Sequence, residues 1–250
     1  MTATASIPSE QPVRRGRGAN GWTALLVLAR PATVFARVED VPVYGWVLVS
    51  ILVFVALLGF IEVRTGLIDR SIDQQTETSL ATLEKNQGHL LDRIELRDRM
   101  DGIRKGGEFN KMLARLGVIA FHPARLLVAW LLVASLLYLT VAMTGRKPEY
   151  HTLLSICVFA GAVDLVACIV RLGMVITYRT TMVETSLGML APAGAATPLV
   201  ALDPFRIWYW VLVAIGLTVT RQLSRRMAIG ACVSMALVAS GGRVAMSYLV

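Results

Sequence analysis

The chain has 250 residues, 55% of them hydrophobic and only 17% charged, with a net charge of +8 and a mean hydropathy of +0.61. That balance excludes an ordinary soluble domain and belongs to a chain solvated mostly by lipid. The basic excess sits at the ends of apolar runs, where membrane anchoring accounts for it and nucleic-acid binding does not.

Residues 1–20 are rich in Thr, Ser, Pro, Arg and Gly and bury too little to fold, which predicts a disordered cytoplasmic tail. The Arg14–Arg15 pair is followed by a Gly/Arg/Asn stretch and a full-length span without a small-residue cleavage pattern, so a cleaved signal is not expected. Residues 21–40, "GWTALLVLARPATVFARVED", mix Trp22, Leu25, Leu26 and Leu28 with Arg30 and Arg37. Such a segment is expected to lie in the inner membrane interface, apolar side chains down and arginines toward anionic headgroups. Pro31 makes Arg30 a helix end.

A helix crossing the hydrocarbon needs about 20 mostly apolar residues. Five stretches qualify, at about 41–61, 126–145, 152–175, 204–222 and 227–250. The segment 185–202 is also uncharged, but Gly188, Pro192, Gly194 and Pro198 interrupt it. It reads as an interfacial loop or a re-entrant segment. Between spans one and two lies a polar insertion, 62–125. Leu80, Leu83, Leu90 and Ile94 form a short heptad-like seam there, and "KGG" at 105–107 is expected to end the helix. A helical cap or helix–loop–helix follows.

Arginines of the N-terminal segment, Arg146 and Lys147 between spans two and three, and Arg221, Arg225 and Arg226 between spans four and five would share one side. The positive-inside rule makes that side cytoplasmic. The C-terminus and the insertion are then extracytoplasmic, in a cell (inner) membrane.

No catalytic, cofactor or metal motif is present. His89, His122 and His151 are far apart, GxSxG and HExxH are missing, and Cys157, Cys168 and Cys232 lack CxxC spacing. The remaining chemical signal is charge inside the spans, where each ionised residue costs about 2.5–3.5 kcal/mol on insertion scales. Asp164 lies about 18 Å into span three and Arg243 about 24 Å into span five, within reach of an arginine side chain. An Asp164–Arg243 ion pair is therefore expected, either fixing helix register or serving an ion or proton path. Arg171 is on nearly the same face as Asp164, about 10.5 Å higher, close enough to the boundary to snorkel.

The stretch "LDPFRIWYWVLVAIGL" carries a second signal. Leu202, Asp203, Phe205, Trp208, Gly216 and Leu217 resemble the L-D-x-F-x-x-W pattern and Gly-Leu ending of the late membrane segment of the Yip1 domain family. Pro31, Phe35, Pro42 and Trp46 are similar to the segment before the first span of bacterial members. The resemblance implies five spans, a cytoplasmic N-terminus and protein–protein interaction, with an ABC-type exporter as the partner of some bacterial relatives. The D-L-Y-G-P motif of eukaryotic members, which act with Rab-type GTPases in trafficking, is absent, so that partner is not carried over.

The expectation is thus an all-α polytopic membrane protein with five transmembrane helices, an interfacial N-terminal helix and a helical extracytoplasmic insertion. It would be a non-enzymatic adaptor without cofactors, whose partners are the bilayer and another membrane protein, and not nucleic acid. The competing expectation is a small homo-oligomeric transporter or channel built on the Asp/Arg site.

Overall fold

The computed structural model describes residues 21–40, 44–87, 92–180, 186 and 203–249, with the side chains of 21–24, 39–40, 87 and 243–249 excepted. Every regular element among them is helical: α1 (Gly21–Ala29), α2 (Pro31–Asp40), α3 (Gly45–Arg64), α4 (Leu67–Gln87), α5 (Arg93–Leu116), a π-helical turn (Gly117–Phe121), α6 (His122–Met143), α7 (Tyr150–Ala160), α8 (Ala162–Tyr178), α9 (Pro204–Val219) and α10 (Arg225–Leu249).

Three stretches are long and apolar enough to cross a membrane: Gly45–Arg64, the run Arg93–Met143 and Tyr150–Tyr178. Helix α3 states the logic most clearly. Its inward face is Val47, Ile51, Val55, Gly59 and Glu62, a three- and four-residue spacing that keeps one stripe against the bundle. The rest of its circumference is equally apolar, with Trp46, Val49, Val53, Phe54, Leu57, Phe60 and Ile61 all exposed. Water would penalise that surface heavily; lipid does not.

Helix α7 is the hub. Every residue from Thr152 to Val163 is buried, and α6, α9, α2 and α3 pack around it. Gly161 separates α7 from α8 at a point where a Cβ would collide with the indole ring of Trp130. Trp130 of α6 therefore reaches into the bundle only because that position is bare. Gly216 of α9 faces Ile156 of α7 in the same manner.

The N-terminal helices are part of the bundle. Helix α2 packs on α7 and α9, and α1 on α3, α7 and α8. Val27, Val34, Phe35 and Val38 belong to the core, while Leu25, Leu26, Arg30 and Arg37 remain exposed.

The polar insertion is a helical hairpin that continues two membrane helices. Gly66, with φ of 69°, supplies the left-handed link from α3 to α4. On the return, α5, the π turn and α6 run together as 51 residues. "KGG" does not end a helix; Gly106 and Gly107 lie inside α5. The reason is packing: a Cβ on Gly107 would sit 2.7 Å from Oγ1 of Thr76, so the glycine lets α4 and α5 touch. Charge fixes the same antiparallel register. Arg115 donates to both carboxylate oxygens of Asp69 at 3.0 and 2.7 Å, and Lys111 lies 2.7 Å from Asp73. Leu80 and Leu83 are half-buried along this hairpin, whereas Ile94 is exposed. Leu90 lies outside the described residues.

Two connections meet at the opposite end. Arg146, between α6 and α7, donates to the carbonyl of Arg221, between α9 and α10, at 2.6 Å. Tyr44, just before α3, meets Nδ1 of His151 at the start of α7 at 3.2 Å. One end of the bundle therefore gathers the basic connections and the other carries the hairpin.

Candidate functional site

The chemistry of the bundle is concentrated along one face of α8. Asp164, Cys168 and Arg171 follow one another at four- and three-residue intervals, a spacing that stacks side chains on one helical stripe. Each meets a partner from another helix. The indole N–H of Trp130 donates to Oδ2 of Asp164 at 3.2 Å. The thiol of Cys168 is 3.6 Å from Nε2 of His122, a contact in which the imidazole tautomer decides the donor. Arg171 lies 3.5 Å from Oε1 of Glu62, whose side chain is 10% exposed against 38% for the arginine. The result is a polar ladder about 10 Å long between α8 and the α3/α6 pair.

The π turn sets the middle rung. Pro123, inside an otherwise continuous helix, has no N–H and crowds the carbonyl four residues back. The helix answers by widening for one turn: the N–H of His122 reaches the carbonyl of Gly117 instead. That extra residue turns His122 toward Cys168. Gly59 completes the arrangement, since a Cβ there would lie 2.7 Å from the Val118 carbonyl oxygen.

A cavity of about 100 Å³ sits among Gly59, Glu62, Val118, His122, Cys168 and Arg171. It has the volume of a few water molecules and is smaller than the roughly 300–1,000 Å³ of small-molecule sites. Among the described residues no cluster of three or more His, Cys, Asp or Glu could hold a metal. The ladder can orient helices; it has no room to position an organic substrate.

The residues singled out from the sequence fall as follows. Asp164 is on the ladder, with Trp130 as one partner. The side chain of Arg243 lies outside the described residues, so an Asp164–Arg243 contact is not described. Arg171 meets Glu62, an acid that the sequence places just beyond span one. It is instead the last buried position of the α3 stripe, and the three- and four-residue spacing from Val47 was the available signal. Nothing in the sequence pairs His122 with Cys168, 46 positions away; the π turn brings them together.

The late segment is also defined. Asp203 caps α9, its carboxylate accepting from the N–H of Phe205 at 3.0 Å, with Pro204 in the first turn. Of the three consecutive aromatics only Trp208 is exposed; Tyr209 and Trp210 point into the protein and meet edge to face at 5.4 Å. Consecutive aromatics at the start of an apolar helix suggest a headgroup-level belt, but here one ring faces outward and two belong to the core. Phe35 is fully buried and Gly216 is in close contact with α7, whereas Pro31 is half-buried at the start of α2. Leu202, Pro42 and the segment 187–202 lie outside the described residues.

A family model for the Yip1 domain matches residues 25–246. The chain belongs to the Yip1 domain family. The match runs from α1 to the last turn of α10, so the hairpin is carried within a Yip1 domain. No curated protein and no solved structure matches the chain. The family and the three apolar helices make this a membrane protein.

Proposed function

We propose that this Yip1 family member is a non-enzymatic adaptor that acts by docking another membrane protein. The observation that carries the reading is the hairpin. Helices α4 and α5 extend directly from α3 and α6, so a contact on the hairpin is mechanically continuous with the bundle. The α5 arm exposes Phe109, Met112, Leu113 and Leu116 at helical spacing near its base, a larger apolar stripe than a solvated arm needs. The reading includes five spans, with α9 and α10 as the fourth and fifth. It places the N-terminus and basic end in the cytoplasm, the hairpin and C-terminus outside, and α1 and α2 at the inner interface of the cell membrane. The partner class suggested by bacterial relatives is an ABC-type exporter.

Photo-crosslinkers at Phe109 and Met112 in native membranes test the idea. A discrete membrane-protein adduct, lost when both positions are replaced by serine, supports docking. Adducts with lipid alone would defeat it.

A second reading is a small oligomeric transporter or channel that uses the intramembrane charges at Asp164 and Arg171; the partly buried Asp164 carboxylate, held by Trp130, favours it. Reconstituted vesicles separate the two readings. Proton or solute flux abolished by Asp164→Asn would replace the adaptor; an inert wild type would remove the transporter.

A further inference from the structure

Helix α10 packs on α9, and the seam between them opens into a groove of about 760 Å³. Its wall is apolar along its length, including Trp210, Ala214, Ile229, Val233 and Ala236, and an arginine stands at each end: Arg206 and Arg225. Along α9 the groove runs from Arg206 to Val219, about 20 Å. That exceeds the roughly 15 Å thickness of one hydrocarbon leaflet. A transmembrane helix of the same length, about 10 Å across, would occupy roughly 1,600 Å³ and cannot be enclosed there. An extended hydrocarbon chain fits the shape.

Charge selects the headgroup. Arg225 lines the groove, Arg226 follows it in sequence, and four residues before Arg225 comes Arg221, whose carbonyl accepts from Arg146. Among the described residues no carboxylate lies within 4 Å of any of these four arginines. A cluster of basic groups at the mouth of an apolar groove attracts an anionic lipid headgroup, and guanidinium groups match phosphate oxygens in fork geometry. We propose that the α9–α10 groove binds an anionic glycerophospholipid, its phosphate at Arg225 and Arg226 and an acyl chain along Ala214, Val233 and Ala236. This site is separate from the polar ladder and does not depend on the adaptor reading.

The experiment is native mass spectrometry of the full chain after incorporation into bilayers of phosphatidylglycerol and phosphatidylcholine. The wild type should keep phosphatidylglycerol in preference to phosphatidylcholine. The R225Q/R226Q variant, which retains Arg146, Lys147 and Arg221 for orientation, should lose phosphatidylglycerol affinity by roughly thirtyfold while phosphatidylcholine is unchanged. Val233→Trp, a half-exposed wall position, fills the groove without altering charge and should lower retention of both lipids. Circular dichroism and a single elution peak establish that each variant is folded. Undiminished phosphatidylglycerol in either folded variant would overturn the proposal, as would a second copy of the chain, in place of lipid, displaced by Val233→Trp.

Discussion

Arg171 and Glu62 form an asymmetric pair, and the asymmetry is measurable. Glu62 is nearly enclosed, at 10% side-chain exposure, whereas Arg171 keeps 38% and a long stem that can carry its charge outward. Removing the arginine strands a carboxylate in an apolar setting. Removing the acid leaves a cation with somewhere to go. Breaking a fully buried pair costs about 3–5 kcal/mol. The single 3.5 Å contact and the open arginine reduce that to about 2 kcal/mol for Arg171→Gln and below about 1 kcal/mol for Glu62→Gln. The double variant, with two neutral amides able to hydrogen-bond, should recover most of the loss. The assay is unfolding in mixed micelles by rising dodecyl sulfate, followed by far-ultraviolet circular dichroism. An equal or larger loss for Glu62→Gln, or a double variant showing the sum of the two, would refute the reasoning.

Gly59→Ala should destabilise by about 1–3 kcal/mol in the same assay, because a Cβ 2.7 Å from the Val118 carbonyl oxygen forces α3 and the π turn apart; Gly102→Ala, with nothing within 4 Å, should be neutral or stabilise by up to about 1 kcal/mol. Asp203→Ala should cost about 1 kcal/mol through loss of the α9 cap, and Asp203→Asn should keep most of it, as thermal unfolding in detergent will report. The hairpin should weaken in acid. The Arg115 guanidinium holds the Asp69 carboxyl below its ordinary value of 3.8. A depressed folded-state value means that this stabilisation is complete above the unfolded value and lost as pH falls through the folded one. Protease cleavage within α4 and α5 should therefore rise below about pH 4 in the wild type and depend less on pH in Asp69→Asn.

The helical, membrane-embedded character was legible because it follows from one-dimensional properties: uninterrupted apolar runs, basic ends and the Asp-Pro start of α9. What the sequence hid required knowing which backbones touch. Gly107 reads as a helix breaker until Thr76 is found against it. Glu62 reads as the first residue of a polar insertion until α3 continues for another turn. His122 and Cys168 are 46 positions apart and meet because Pro123 widens one turn of helix. Trp208, Tyr209 and Trp210 suggest an interfacial belt, yet two of the three are core residues. The residues of α9 just before and after Trp208 carry out different tasks because neighbouring helices cover only part of its surface.

The arrangement of the bundle in the bilayer is the claim on which the functional reading depends, and cysteine labelling tests it most directly. A membrane-impermeant maleimide applied to intact cells should modify Glu84→Cys, on the hairpin, and reach Lys147→Cys, at the basic end, only after permeabilisation. Labelling of both positions from the same side, or in the reverse order, would contradict it.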